Sequence, residues 1–228
     1  MKPSDARDEM TFMLHATASR KWAVSVARVL FEVIMQLEAD GCSTLPAGGG
    51  FILASNHVSN WDVVALQLAL PRPIFFMGKA ELFRLAPVGA ILRNFGAFPV
   101  YRGEQDGWAL EHAHRVLDAG QVLGMFPEGH RSGGRGLGPA RIGSAKLAIE
   151  AKCSIVPVTI TGTHQLLRSQ RRARVRVSCL APIMPMPGES AEALTERLMQ
   201  TIARDLPEGM RGVYSHIKLP ASAGADLD

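Results

Sequence analysis

The chain has 228 residues with 47% hydrophobic and 20% charged side chains, which fits one ordinary domain with a sizeable core. The formal net charge is only +4 but unevenly placed: Phe126 to Ser178 hold ten Lys and Arg against two acids, Glu128 and Glu150, so the remainder is net acidic. Such a basic region suits phosphate groups, anionic lipid headgroups or nucleic acid, and three distant cysteines, Cys42, Cys153 and Cys179, argue against a disulfide framework and for reduced thiols in a cytosolic compartment.

No secretory signal is evident. The longest helical candidate, Met10 to Leu37, is interrupted by Arg20, Lys21, Arg28 and Glu32. A spanning helix wants about 20 mostly apolar residues, so this segment is not expected to cross a membrane. Within it Trp22, Val26, Val29, Leu30, Val33, Ile34 and Leu37 recur at spacings of three and four. That stripe suits a helix packed on the domain's own core, one docked in a membrane interface, or one doing both. Asp40-Gly41 is expected to end it, and Gly48-Gly49-Gly50 leads into new structure.

From there short apolar runs predict strands at Phe51–Ala54, Ile74–Met77, Ala97–Tyr101, Val122–Phe126, Ile155–Ile160 and Val175–Cys179. Helical stretches fall between them at Asp62–Leu70, Glu81–Asn94 with a bend at Pro87, Trp108–Ala119 and Pro139–Ala151, and Ser190–Arg204 reads as a last helix. This alternation predicts an α/β fold, a mostly parallel or mixed central sheet flanked by helices, with an N-terminal amphipathic helical segment. The expected organisation is that segment over 1–45, a catalytic domain over 46–215 and a disordered tail over 216–228.

The first chemical signal is N-H-V-S-N-W-D, Asn56 to Asp62, directly after a strand. Five helical steps do not bring two side chains to one face. His57 and Asp62 therefore meet only if the histidine sits in the strand-to-helix loop and the aspartate in the first helical turn, with Ser59 or Asn60 as a cap. A carboxylate on one imidazole nitrogen leaves the other to take a proton. The plainer reading is a loop histidine beside an ordinary N-terminal helix charge.

Three further clusters follow: G-A-F-P-V-Y-R from Gly96 to Arg102, F-P-E-G-H-R-S from Phe126 to Ser132, and I-V-P-V-T-I-T-G from Ile155 to Gly162. In order and spacing the four blocks, over about Phe51 to Thr163, resemble the glycerolipid acyltransferases, the family that includes 1-acyl-glycerol-3-phosphate acyltransferase. The resemblance implies that His57 is the general base and Asp62 its orienting partner. It implies that Arg102 and Arg131 contact the acceptor's phosphate, and Lys79, in M-G-K-A-E-L-F, occupies a position often used for the same phosphate. Glu128 and Gly129 would shape the acceptor site, and Pro157 would support the sheet beneath it. His130 stands where the family commonly has a small residue, and Tyr101 where a small acidic or polar one is frequent.

The implied reaction moves a fatty acyl group from acyl-CoA or acyl-carrier protein to the free hydroxyl of lysophosphatidate, with no cofactor or metal. Another lysolipid, aminolipid or glycolipid acceptor, or a non-enzymatic lipid-binding protein, is the alternative. The implied location is peripheral or monotopic, on the cytoplasmic face of the cell membrane. Elsewhere His112 and His114 do not share a helix face for a metal. Ser132 and Ser144 lie outside G-x-S-x-G. Gly133–Gly138 reads as a flexible loop near the site, and Arg168 to Arg176 suits anionic lipid better than nucleic acid.

Overall fold

The computed structural model describes residues 7, 10–42, 45–101, 106–166, 168 and 172–217. The strands are β1 (Met35–Asp40), β2 (Phe51–Ser55), β3 (Ile74–Lys79), β4 (Ala97–Val100), β5 (Val122–Met125), β6 (Ile155–Thr161) and β7 (Ala173–Cys179). The helices are α1 (Ala18–Ile34), α2 (Asp62–Ala69), α3 (Ala80–Phe83), α4 (Ala86–Asn94), α5 (Gly107–Asp118), α6 (Gly143–Glu150) and α7 (Ala191–Asp205). The strands form one sheet in the order β1-β7-β6-β2-β5-β3-β4. Pairing is parallel from β6 through β4, antiparallel between β6 and β7, and parallel again between β7 and β1. The expected α/β fold with a mixed sheet is therefore the observed one.

Both faces of the sheet are covered, which is why its central strands read as unbroken apolar runs. All five residues of β2 are buried. Ile52 and Ala54 pack with α5, α6 and α7 on one face. Phe51 and Leu53 pack with α2 and the inner residues of α1, among them Val24, Ala27, Phe31 and Ile34, on the other. Burying each such aromatic or aliphatic side chain favours the fold by about 1.5–3 kcal/mol. Pro99 is accommodated because β4 is an edge strand, where a missing N–H costs no ladder bond on the open side.

Three local expectations are corrected. The helical stripe stops at Ile34 rather than continuing to Leu37, and Met35–Asp40 is β1, an edge strand in parallel register with Ala173–Ser178 of β7. Its half-exposed M-Q-L-E-A-D pattern carries no strand signal by itself; the pairing partner decides it. The segment Glu81–Asn94 is two helices, broken at Arg84-Leu85, with Pro87 in the first turn of α4 where its missing N–H has no role. Finally, neither Ser59 nor Asn60 caps α2; Trp61 holds the cap position, and its N–H donates to Ser59 Oγ at 3.1 Å.

Two cysteines far apart in sequence meet across β7: the free thiols of Cys42 and Cys179 lie 3.5 Å apart. No helix among the described residues is long and apolar enough to cross a membrane. The tail expected to be disordered lies, from residue 218 onward, outside the described residues.

Candidate active site

Because β2 to β6 all run the same way, their C-terminal ends share one edge of the sheet, the edge where open α/β sheets bind ligands. The loops after β2, β5 and β6 converge there. Two buried devices hold β2 and β6 in place at this edge. Asn56 donates through Nδ2 to Ile160 O at 2.9 Å and accepts at Oδ1 from Ile160 N at 2.8 Å. Gly162 turns the chain after β6 with φ of 84°, and a Cβ there would lie 1.9 Å from Arg174 O, so only glycine fits.

His57 sits in the loop after β2, and Asp62 opens α2. Nδ1 of His57 lies 2.7 Å from Asp62 Oδ2. Asp62 is fully buried, and its charge is met by four donors. Oδ2 also accepts from Val58 N at 2.6 Å and Ser59 N at 2.9 Å, while Oδ1 accepts from Thr163 Oγ1. A buried carboxylate needs such partners to offset its lost hydration. Accepting from Nδ1–H, it leaves Nε2 of His57 as the unprotonated nitrogen; Nε2 has no hydrogen-bond partner among the described residues. The ring stacks on Phe126 at 3.9 Å between centroids, which fixes its plane.

Glu128 is 1% exposed and joins three segments. Oε1 accepts from His57 N at 2.9 Å and Oε2 from Gly138 N at 2.8 Å. Ser132 N and Gly133 N donate to His57 O and Val58 O at 2.7 and 3.2 Å, so the glycine-rich loop is pinned to the histidine loop at its start. Gly129 follows with φ of 69°, and Arg141 packs 3.1 Å from where its Cβ would be. The Nδ1 of His130 turns back to Glu128 O at 2.8 Å.

Beside this pair lies a cleft of about 480 Å³, walled by the loop after β2, the glycine-rich loop and the turn after β6. Among the described residues its cations are Arg131, Arg135 and Arg168, and no acidic residue lines it. Arg131 is exposed and donates to Asn60 Oδ1 at the cleft wall. Lys79, at the end of β3, is half-exposed and 3.4 Å from Glu81, outside the cleft lining. Arg102 lies outside the described residues. Sequence reading missed Thr163, Asn56, Arg135 and His164. Thr163 directly follows the fourth block and Arg135 lies inside the glycine-rich loop, so position relative to the blocks was the available signal. No group of three His, Cys, Asp or Glu suited to a metal occurs among the described residues.

The profile of the family described as Acyltransferase matches residues 36–161. The 1-acyl-sn-glycerol-3-phosphate acyltransferase of Bacillus subtilis (strain 168) is 27% identical over 190 residues, covering 80% of this chain and 94% of that protein. The enzyme of the same description from Streptococcus pneumoniae (strain ATCC BAA-255 / R6) is 32% identical over 161 residues, covering 68% of this chain and 60% of that one. The crystal structure of the 1-acyl-sn-glycerophosphate acyltransferase PlsC from Thermotoga maritima superposes with a TM-score of 0.67 at 22% identity, over 81% of this chain and 78% of the other, a likeness of fold.

Proposed function

The chain belongs to the Acyltransferase family, and from that premise we propose that it transfers a fatty acyl group from a thioester to the free hydroxyl of lysophosphatidate. The observation that carries this reading is the His57–Asp62 pair, 2.7 Å apart, beside a cleft whose charged lining among the described residues is Arg131, Arg135 and Arg168. Nε2 of His57 takes the acceptor's hydroxyl proton as that oxygen attacks the thioester carbonyl carbon. The tetrahedral species collapses with cleavage of the carbon–sulfur bond, and the imidazolium returns the proton to the departing thiolate. Asp62 holds the ring's tautomer and stabilises the imidazolium without taking its proton. Arg131, Arg135 and Arg168 meet the acceptor's phosphate with forked donors and set the hydroxyl against the histidine. The family resemblance assigns Arg102 and Lys79 to the same phosphate. The thioester is carried by coenzyme A or acyl-carrier protein.

Both substrates carry long apolar chains, so the site works at a bilayer surface. The outer face of α1 supports this: Trp22, Val29, Leu30 and Val33 are exposed, Trp22 by 70% and Val33 by 72%. Inner-face Phe31 packs edge-on against Trp61 beside the cleft, at 5.6 Å. Arg174 and Arg176 leave β7 on the sheet face away from α1, since Ala173, Val175 and Val177 fill the core beneath α1. Membrane contact therefore runs through α1 and the cleft arginines, with α1 seated in the headgroup region of the cytoplasmic leaflet.

The test is thiol release from palmitoyl-CoA by purified protein, with and without lysophosphatidate, for wild type and His57→Ala. Release that depends on the acceptor and vanishes in the variant is expected. Acceptor-dependent release that persists undiminished in His57→Ala would overturn the role of the histidine. No transfer to lysophosphatidate from either thioester carrier would overturn the acceptor.

A further inference from the structure

At the far end of the sheet a buried arginine has no carboxylate partner among the described residues. Arg20, in the first turn of α1, is 2% exposed. Its Nη2 donates to Ile74 O at 2.6 Å and Gln67 Oε1 at 3.0 Å, and its plane covers the Phe75 ring, 4.5 Å from the centroid. Nε and Nη1 have no hydrogen-bond partner among the described residues. Unmet donors on a buried cation forfeit the interactions that would compensate its lost hydration. Burial lowers its pKa to about 10, so it remains charged at neutral pH.

The same side chain lines a cavity of about 230 Å³ together with Thr11, His15, Thr17, Arg93 and Gly96, and among the described residues no acidic side chain lines it. α1 starts here: Thr17 Oγ1 accepts from Arg20 N at 3.1 Å, and the first turn holds no acid, so the positive end of the helix dipole is uncompensated. Ser19 Oγ donates to Asn94 Oδ1 at 2.9 Å, which fixes α1 against the helix that carries Arg93. Gly96 is part of the design. A Cβ there would lie 2.3 Å from Arg20 Nη1, so a larger residue would displace the guanidinium.

We propose that this cavity is a second anion site, taking a phosphate group between Arg20 and Arg93 with the Thr11 and Thr17 hydroxyls at its rim. Its volume is below the roughly 300 Å³ at which pockets for drug-sized molecules begin, so it selects a phosphate or phosphomonoester over a nucleotide. It is separate from the acceptor's phosphate cleft. Ile74 and Gly96 mark the N-terminal ends of β3 and β4, whereas the cleft lies at the C-terminal edge, about 15–20 Å away at strand rise. The exposed apolar face of α1 begins nearby at Trp22, so both a phospholipid headgroup and free phosphate have the required chemistry.

Calorimetric titration with inorganic phosphate, at ionic strength matched by chloride, tests the site in the whole chain carrying Arg131→Gln, Arg135→Gln and Arg168→Gln to disable the cleft. Phosphate is expected to bind this variant, and added Arg93→Gln to weaken binding about tenfold or more, the scale of one charge-assisted contact. Arg20→Met should abolish it; if that variant does not fold, Arg93→Gln still decides. Loss of all phosphate binding once Arg131, Arg135 and Arg168 are replaced, or no effect of Arg93→Gln, would overturn the site. Sedimentation with phosphatidylcholine vesicles, with and without phosphatidic acid, identifies the source. Arg93-dependent binding to the acidic vesicles, competed by free phosphate, marks a headgroup. Unchanged vesicle binding by Arg93→Gln, with phosphate binding lost, marks a soluble ligand.

Discussion

Glu128 holds His57 by its backbone rather than its ring: the His57 N–H donates to Oε1 at 2.9 Å while Oε2 accepts from Gly138 N at 2.8 Å. One buried carboxylate thus ties the loop carrying the base to the far end of the glycine-rich loop that bears Arg135. Glu128→Ala leaves two N–H groups without their acceptor, each costing about 1–3 kcal/mol. A lower Tm is expected, with losses in both kcat and KM for the acceptor. A variant with wild-type Tm and kinetics would contradict this bridging role.

Replacing His57 by Ala should lower turnover by ~10²–10⁴, the span for losing a general base. Asp62→Asn should cost a comparable factor, because the amide no longer fixes the tautomer or stabilises the imidazolium. Thiol-release kinetics beside circular dichroism, to confirm folding, checks both.

Thr163 reaches Asp62 from the far side, Oγ1 to Oδ1, across 101 positions of sequence. A hydrogen bond to a charged group contributes about 1.5–3 kcal/mol. Thr163→Val should therefore lower Tm and kcat, and Thr163→Ser should restore most of both. Equal behaviour of the two variants would show that the hydroxyl does not matter.

Removing one guanidinium from the cleft, as in Arg131→Gln or Arg168→Gln, should raise KM for lysophosphatidate about tenfold or more with a smaller effect on kcat. A monoacylglycerol acceptor, which lacks the phosphate, should not distinguish these variants from wild type. Steady-state kinetics with the two acceptors separates phosphate binding from general loss of structure.

His112 is 5% exposed and lies between the Trp108 and Phe98 rings. Burial, and then the charge of Arg115, push its pKa down from 6.5 to about 4. The unfolded chain therefore takes up this proton at higher pH than the folded one. The contribution is complete above about pH 6.5 and is lost as pH falls toward 4, on the order of 3 kcal/mol in all. Urea unfolding across that range should show falling stability, and His112→Leu should flatten the slope.

Much of this molecule is legible in local sequence. A strand buried on both faces must be apolar throughout, so the runs at Phe51, Ile74, Val122 and Ile155 announce themselves, and the central sheet follows. The His57–Asp62 pairing is equally local: five residues spanning a loop and a first helical turn bring the two within hydrogen-bond reach. What no local pattern determines is how distant segments meet. β1 is a strand only because β7 offers it an open edge, and Thr163, Glu128, Arg135 and Arg168 join His57 only because parallel crossovers deliver the ends of β2, β5 and β6 to one edge. The periodicity of Arg20 likewise places it on α1, but its depth, its missing partner and the cavity before it depend on Gly96, Phe75 and Ile74 of the sheet. Sequence spacing governs contacts within a turn or two of chain; burial and convergence across a sheet are decided by packing, which exists only once the chain has closed on itself.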